Sequence, residues 1–343
     1  MNSRRLALLA ASACLPMMQA QAQDVPADWH FPLSYDSVKA DPKNHRILFE
    51  DAKLRLIEVT LFPGDKEVLH GHPYPSVFAV DAVFPKMKDE QLDPAASRDT
   101  KIGGRGGPPP GKQYPTCLTM GPQAPHAATV TEDFPQHFYR IEFKRIDGDH
   151  LAANWKTWYP WMLEPLKPVK DLVPGPNLGP PLSADWPFPL AYDSYKAAPN
   201  NHYLRYEDNH IRFIEVVMRP GEKENMHGHP YPSVFAMDGA RLGGQQPRGT
   251  RPAVTDTPLE PNSPLNSPTG SPAPAPQGYQ GPSCNTMGPQ APHQAQNLAD
   301  TPAHFYRIEF KRVDGQEFKT KWREWYPWMA QSKPPAFAPP HAP

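Results

Sequence analysis

The sequence predicts two tandem all-β units, each folded as a barrel or sandwich. The first observation behind this is a duplication: His70-Gly-His-Pro-Tyr-Pro-Ser-Val-Phe-Ala79 returns unchanged at 227 to 236, and each copy is followed by Thr-Met-Gly-Pro-Gln-Ala-Pro-His, ending at His126 and His293. A repeat of this kind means one structural unit has been copied. The second is strand periodicity. Tyr139, Ile141 and Phe143 alternate with Arg140, Glu142 and Lys144, which places three apolar and three charged side chains on opposite faces of a strand. The third is that no window longer than about two turns sustains an apolar helical period outside the N-terminal leader. Short strands between turn signals give an all-β layout.

The leader comes first. Arg4 and Arg5, an apolar run from Leu6 to Met18 and Gln19-Ala-Gln-Ala22 read as a cleaved secretory signal over residues 1 to 22, so the mature chain is expected to be periplasmic or secreted. The run is too short to span a bilayer, and membrane insertion is not expected. A formal net charge of -1 gives no long-range attraction to nucleic acid.

The repeats follow. Asp28-Trp29 matches Asp185-Trp186, and His137-Phe-Tyr-Arg-Ile-Glu-Phe-Lys-Arg145 returns at 304 to 312. The first domain is read as 28 to 162, the second as 185 to 329, with 330 to 343 a disordered tail. Leu163 to Ala184 is Pro-rich, a stiff linker. The offset is 157 residues through the paired histidines and 167 at the third, so the added residues lie in an inserted loop. Val83 to Pro115 and Arg241 to Ser283, rich in Pro and Gly, read as irregular, either covers over the pockets or disordered decoration. Leu54 to Leu61 reads as a strand ended by the turn Pro63-Gly64. Cys117 and Cys284 occupy equivalent positions. Export permits a disulfide, but equivalent positions of two domains seldom approach to the ~6 Å that bridging needs, so two buried thiols are the expectation.

His70 and His72 lie two apart on a strand and leave one face; His126 arrives from another strand. The same holds for His227, His229 and His293. Three imidazoles converging from two strands suit Fe, Mn, Zn, Ni or Cu while leaving coordination positions open. The other recurring histidines, His45, His202, His137 and His304, read as capping or turn residues. Arg140 with Glu142, and Arg307 with Glu309, read as a solvated ladder on an outer face. Trp158-Tyr-Pro-Trp161 and its copy read as packing on the barrel or the sister domain rather than as a sugar platform.

Gly64, five residues, His70-Gly-His72, and Gly221, five residues, His227-Gly-His229, resemble the first motif of the cupin superfamily; His293-Gln-Ala-Gln-Asn297 resembles its second. The resemblance covers both repeats. It implies a two-cupin chain, a jelly-roll β-barrel in each half with the metal inside. The usual motif glutamate is replaced by Ser76 or Val77, and by Ser233 or Val234, and Val130 stands where Asn297 does. A triad of neutral histidines resembles the thiol dioxygenases among cupins, and equally cupins that have lost metal. Two functional readings follow: a metal-dependent cupin, oxygenase-type or Lewis-acid, acting on a small-molecule ligand, or a non-catalytic module binding a small molecule or a cell-envelope partner. If one pocket is active, the second is expected to be.

Overall fold

The computed structural model describes residues 29–93, 102–108, 112–169, 186–238, 254–266, 270, 273–274 and 281–329. The leader at 1 to 22, linker residues 170 to 185 and the tail at 330 to 343 lie outside the described residues. The first repeat runs α1 (Ser37–Ala40), β1 (His45–Glu50), β2 (Leu54–Leu61), β3 (His70–His72), β4 (Ser76–Val80), β5 (Met87–Gln91), β6 (Ile102–Gly106), β7 (Thr116–Met120), β8 (Gln123–Val130), β9 (Gln136–Phe143) and α2 (Leu151–Trp158). The second runs α3 (Ser194–Ala197), β10 (His202–Glu207), β11 (Ile211–Met218), β12 (His227–His229), β13 (Ser233–Met237), β14 (Val254–Pro258), β15 (Ser283–Met287), β16 (Gln290–Asn297), β17 (Ala303–Phe310) and α4 (Phe318–Trp325).

Each repeat folds into two antiparallel sheets. In the first they are ordered β1-β2-β9-β4-β7-β6 and β3-β8-β5; in the second, β10-β11-β17-β13-β15 and β12-β16-β14. The sheets do not join into one closed ladder. This layout is consistent with the jelly roll expected for each half. Gly64 and Gly221 adopt φ of 77° and 72°, a region costly for residues with a Cβ, and so turn the chain from the large sheet toward the small one.

The larger sheets face one another, and the faces they use invert the usual rule. Leu54, Leu56, Val77, Tyr139, Ile141 and Phe143 of the first repeat join Phe213, Val234, Tyr306, Ile308 and Phe310 of the second in one buried cluster. The apolar face of each large sheet therefore packs against the sister repeat. Its other face lines the barrel, where Ile57, Val59, Phe78, Met120 and Phe138 make a smaller core. Arg140 and Glu142 lie on that inner face at 1 % and 0 % exposure. The solvated ladder expected for them, and for Arg307 and Glu309, is thus corrected: alternation tells which residues share a face, not which face water reaches.

The same geometry corrects the cysteines. Cys117 on β7 and Cys284 on β15 form a disulfide with Cα atoms 6.3 Å apart. Two repeats packed through matching faces bring equivalent positions together at their common axis, which the distance argument for separate domains overlooked. The helices cross over too. Phe318, Trp322 and Tyr326 pack with Phe134 of the first repeat, and Trp155, Tyr159 and Met162 pack on Val217 of the second. Each aromatic C-terminal segment clasps the sister repeat, one of the two packings the sequence leaves open.

Parts of the stretches read as irregular are strands. β5 and β14 pair with β8 and β16 as outer strands of the small sheets, and β6 pairs with β7. β5, Met-Lys-Asp-Glu-Gln, is largely exposed, a charged edge of the kind that resists further strand pairing. Such edges lack the apolar alternation that marks a strand in sequence. No described helix is long and apolar enough to cross a membrane.

Candidate metal centre

The small sheet assembles the histidines. His70 on β3 stands directly opposite His126 on β8, and His227 on β12 opposite His293 on β16. His72 and His229 lie two residues along the same strand, on the same face. Gly71 and Gly228 separate the pair because a Cβ there would meet Gln123 O and Gln290 O at 3.0 Å. Ring centroids are 5.1 Å apart for His70 and His72, 4.8 Å for His70 and His126, and 5.6 Å for His72 and His126. In the second repeat the corresponding separations are 5.2, 4.6 and 5.6 Å. All six predicted ligands are thus brought together three by three. His293 is the most exposed of its set.

A fourth histidine joins each set, correcting the capping role read for His45 and His202. His45 pairs with Val59 across β1 and β2, so it shares the inner face, and its ring lies 4.3 Å from His70 and 5.3 Å from His72. His202 lies 4.4 Å from His227 and 5.2 Å from His229. Nitrogens of His45, His70 and His72, and of His202, His227 and His229, come within 4.8 Å of one another, a spacing that suits one ion. His137 and His304 sit elsewhere, on the face between the repeats, bonded to Glu58 and Glu215 at 2.9 and 2.7 Å.

Hydrogen bonds set which nitrogen faces the centre. His70 Nδ1 donates to Val68 O and His126 Nδ1 to Ala124 O, both at 2.8 Å. His72 Nδ1 donates to Glu142 Oε1 at 2.7 Å. The copies repeat this: His227 to Asn225 O at 2.8 Å, His293 to Ala291 O at 2.9 Å and His229 to Glu309 Oε1 at 2.9 Å. With Nδ1 donating, Nε2 carries the lone pair, the tautomer a metal ligand needs.

Behind each set runs an ion network. Arg55 donates to Asp36 through Nη2 at 2.5 Å and to Glu142 through Nε at 2.7 Å, and Glu142 takes His72. Glu142 is the strand neighbour of Ser76, one of the positions where the motif glutamate is missing, so a carboxylate from β9 reaches this corner and orients an imidazole there. In the second repeat Arg212 bonds Asp193 at 2.9 Å, and burial raises the Glu309 pKa to about 7 against the pull of Arg307 and Arg212. Arg140 and Arg307 each hold a glutamine oxygen, Gln123 and Gln290, at 2.5 Å. Arg307 Nε lies 3.2 Å from Glu309 Oε1, its Nη2 has no hydrogen-bond partner, and burial lowers its pKa to about 10. Burial, followed by the Arg140 charge for His72 and the Arg307 charge for His229, holds both histidines well below the usual value. The imidazoles are therefore neutral, as metal binding requires.

Sequence reading also passed over Glu67 and Glu224. Each sits three residues before the first histidine of its pair and is buried beside it. Asn297, the second-motif asparagine, does not face the centre; its Nδ2 donates to Met218 O at 3.0 Å and Thr301 O at 2.8 Å, tying a turn. Val130 at the equivalent place packs with Leu61 and Ala128. A cavity of about 230 Å³, lined in part by Leu166, Ala198, Asn201, Glu222 and Asn225, lies against the loop carrying Glu224.

No family profile and no curated protein match the chain. Among solved structures it is similar to a cupin domain from Bordetella pertussis Tohama I, at 18 % identity and TM-score 0.21, over 32 % of this chain and 92 % of that one. It is also similar to oxalate decarboxylase from Bacillus subtilis, at 14 % identity and TM-score 0.19, over 82 % of this chain and 71 % of that one. AerE from Microcystis aeruginosa matches at 8 % identity and TM-score 0.19, over 78 % and 96 %. The fold assignment rests on the strand order and register of this chain.

Proposed function

We propose that this is an exported two-cupin protein that holds a divalent metal in each repeat and binds a small anionic, oxygen-donating ligand against it. The observation that carries the reading is the hydrogen bonding of the six motif histidines: every Nδ1 is committed to a carbonyl or carboxylate, so the basic nitrogens are the ones that converge. The donor set fits Fe, Mn, Zn, Ni or Cu. Once bound, iron would supply redox chemistry of the oxygenase type, and zinc or manganese polarisation of a carbonyl.

The protein's own part is to orient and to attract. Glu142 and Glu309 fix His72 and His229 in one tautomer. Arg307, buried over the Phe235 ring at 4.6 Å with Nη2 lacking a hydrogen-bond partner, favours a carboxylate or other oxyanion, since a buried guanidinium gains most from a hydrogen-bonded anion. Export is supported by the leader and by the Cys117–Cys284 bridge, a bond that persists in oxidising compartments.

The test is thermal stabilisation of metal-loaded protein by a panel of small carboxylates, neutral isosteres and amines. The reading expects stabilisation by carboxylates alone, weakened in Arg307→Met. Equal response to neutral isosteres would contradict it.

A further inference from the structure

We infer that Glu224 supplies the second pocket with the metal-binding carboxylate that its His-Gly-His motif lacks. The inference rests on the metal-binding reading above and adds to it a donor.

Glu224 lies between Gly221, which turns the chain, and His227, which starts β12. Its side chain is directed inward at 3 % exposure. Oε2 is 3.9 Å from His227 Nε2, the nitrogen that faces the centre, and Oε1 is 4.0 Å from His202 Nδ1. Two donors each about 2.1 Å from one ion lie at most about 4.2 Å apart, so Oε2 and Nε2 are within reach of the same ion. Oε1 has no hydrogen-bond partner. A buried carboxylate oxygen without a donor carries a desolvation cost that a bound cation removes.

The first repeat gathers acids at the same place, with ligand atoms of Asp41, His45, Glu67 and His70 within 4.8 Å of one another. There Glu67 Oε2 accepts the N–H of Ala128 at 2.9 Å, and Asp41 stands beside His45, its own oxygen taken by Asn44 at 2.8 Å. The residue equivalent to Asp41 is Ala198. With alanine at that position, Glu224 is the carboxylate among the described residues that pairs with both His202 and His227. An oxygen donor added to imidazoles shifts a site toward harder ions such as Mn(II) and Fe(II). The second pocket should therefore favour manganese over copper more than its histidines alone would.

The test separates the pockets by disabling one. In a His70→Ala, His72→Ala background only the second pocket binds, and Glu224→Gln there should weaken Mn(II) binding by about tenfold or more and shift the Co(II) visible absorption. Unchanged affinity and spectrum in Glu224→Gln overturn the inference and leave the metal reading standing. Absence of metal from the parent protein overturns both. Should Glu224→Gln fail to fold by circular dichroism, Glu224→Asp, which keeps the charge on a shorter arm, reads the same point: a shifted Co(II) spectrum supports the assignment and an unshifted one overturns it.

Discussion

Lys53 and His210 hold the same place in the two repeats, each beside two buried aspartates contributed by different repeats. Lys53 Nζ pairs with Asp147 and, at 2.6 Å, with Asp238. His210 Nε2 lies 2.8 Å from Asp81 Oδ2 and 2.8 Å from Tyr326 Oη, which donates to Asp314 at 2.7 Å. One end of the interface between repeats thus carries a lysine and the other a histidine.

Stability should follow the His210 proton. Burial works against that proton, but the Asp81 carboxylate, by charge and hydrogen bond, with Asp314 behind it, raises the pKa above the usual histidine value despite the Arg312 charge. A raised folded pKa stabilises fully below the unfolded value of about 6.5, and the contribution is lost as pH rises through the folded pKa. Urea unfolding from pH 6 upward should show a midpoint that falls with pH in the wild type and falls less in His210→Lys. Parallel profiles would contradict this account.

Glu309 should matter to the metal without touching it. Its Oε1 accepts from His229 Nδ1 at 2.9 Å, so it sets both ring orientation and basicity. Glu309→Gln keeps the shape and removes the charge. Metal affinity of the second pocket, measured by competition with a chelator, should fall by about tenfold while the first pocket is unaffected.

The interdomain bridge should be structural. Removing a native disulfide typically costs about 2–5 kcal/mol, and Cys117 and Cys284 are both buried in the shared core. The double variant Cys117→Ala, Cys284→Ala should unfold at markedly lower urea concentration, and a non-reducing peptide map of the wild type should join the two cysteine peptides. Free thiols in both peptides would contradict the bridge.

Much of the candidate site was legible in the sequence. His70, His72 and His126 stood out because two-residue spacing fixes a shared face and duplication doubles the signal. His45 and Glu67 carried only the duplication: each recurs at the same offset as the histidine pair, at His202 and Glu224, but a single residue at a strand start or in a turn has no spacing to give it direction. Arg140 and Glu142 were placed on the right shared face and the wrong side of the sheet. The apolar Tyr139 face reads as core in either case, and only the sister repeat, packed against it, turns the charged face inward. That same packing explains Cys117 and Cys284, because an axis between repeats leaves no mark in a single chain's periodicity. The edge strand Met87–Gln91 was missed because its charges are suited to solvent rather than to pairing.

Metal content tests the central claim most directly. Protein prepared without a histidine tag and incubated separately with Fe, Mn, Zn, Ni and Cu should retain close to two equivalents of at least one metal by elemental analysis after gel filtration, one for each set of four histidines. His227→Ala with His229→Ala should remove one of them. A folded wild-type protein that retains none of these metals would contradict the account and leave the histidines as remnants in a duplicated jelly roll.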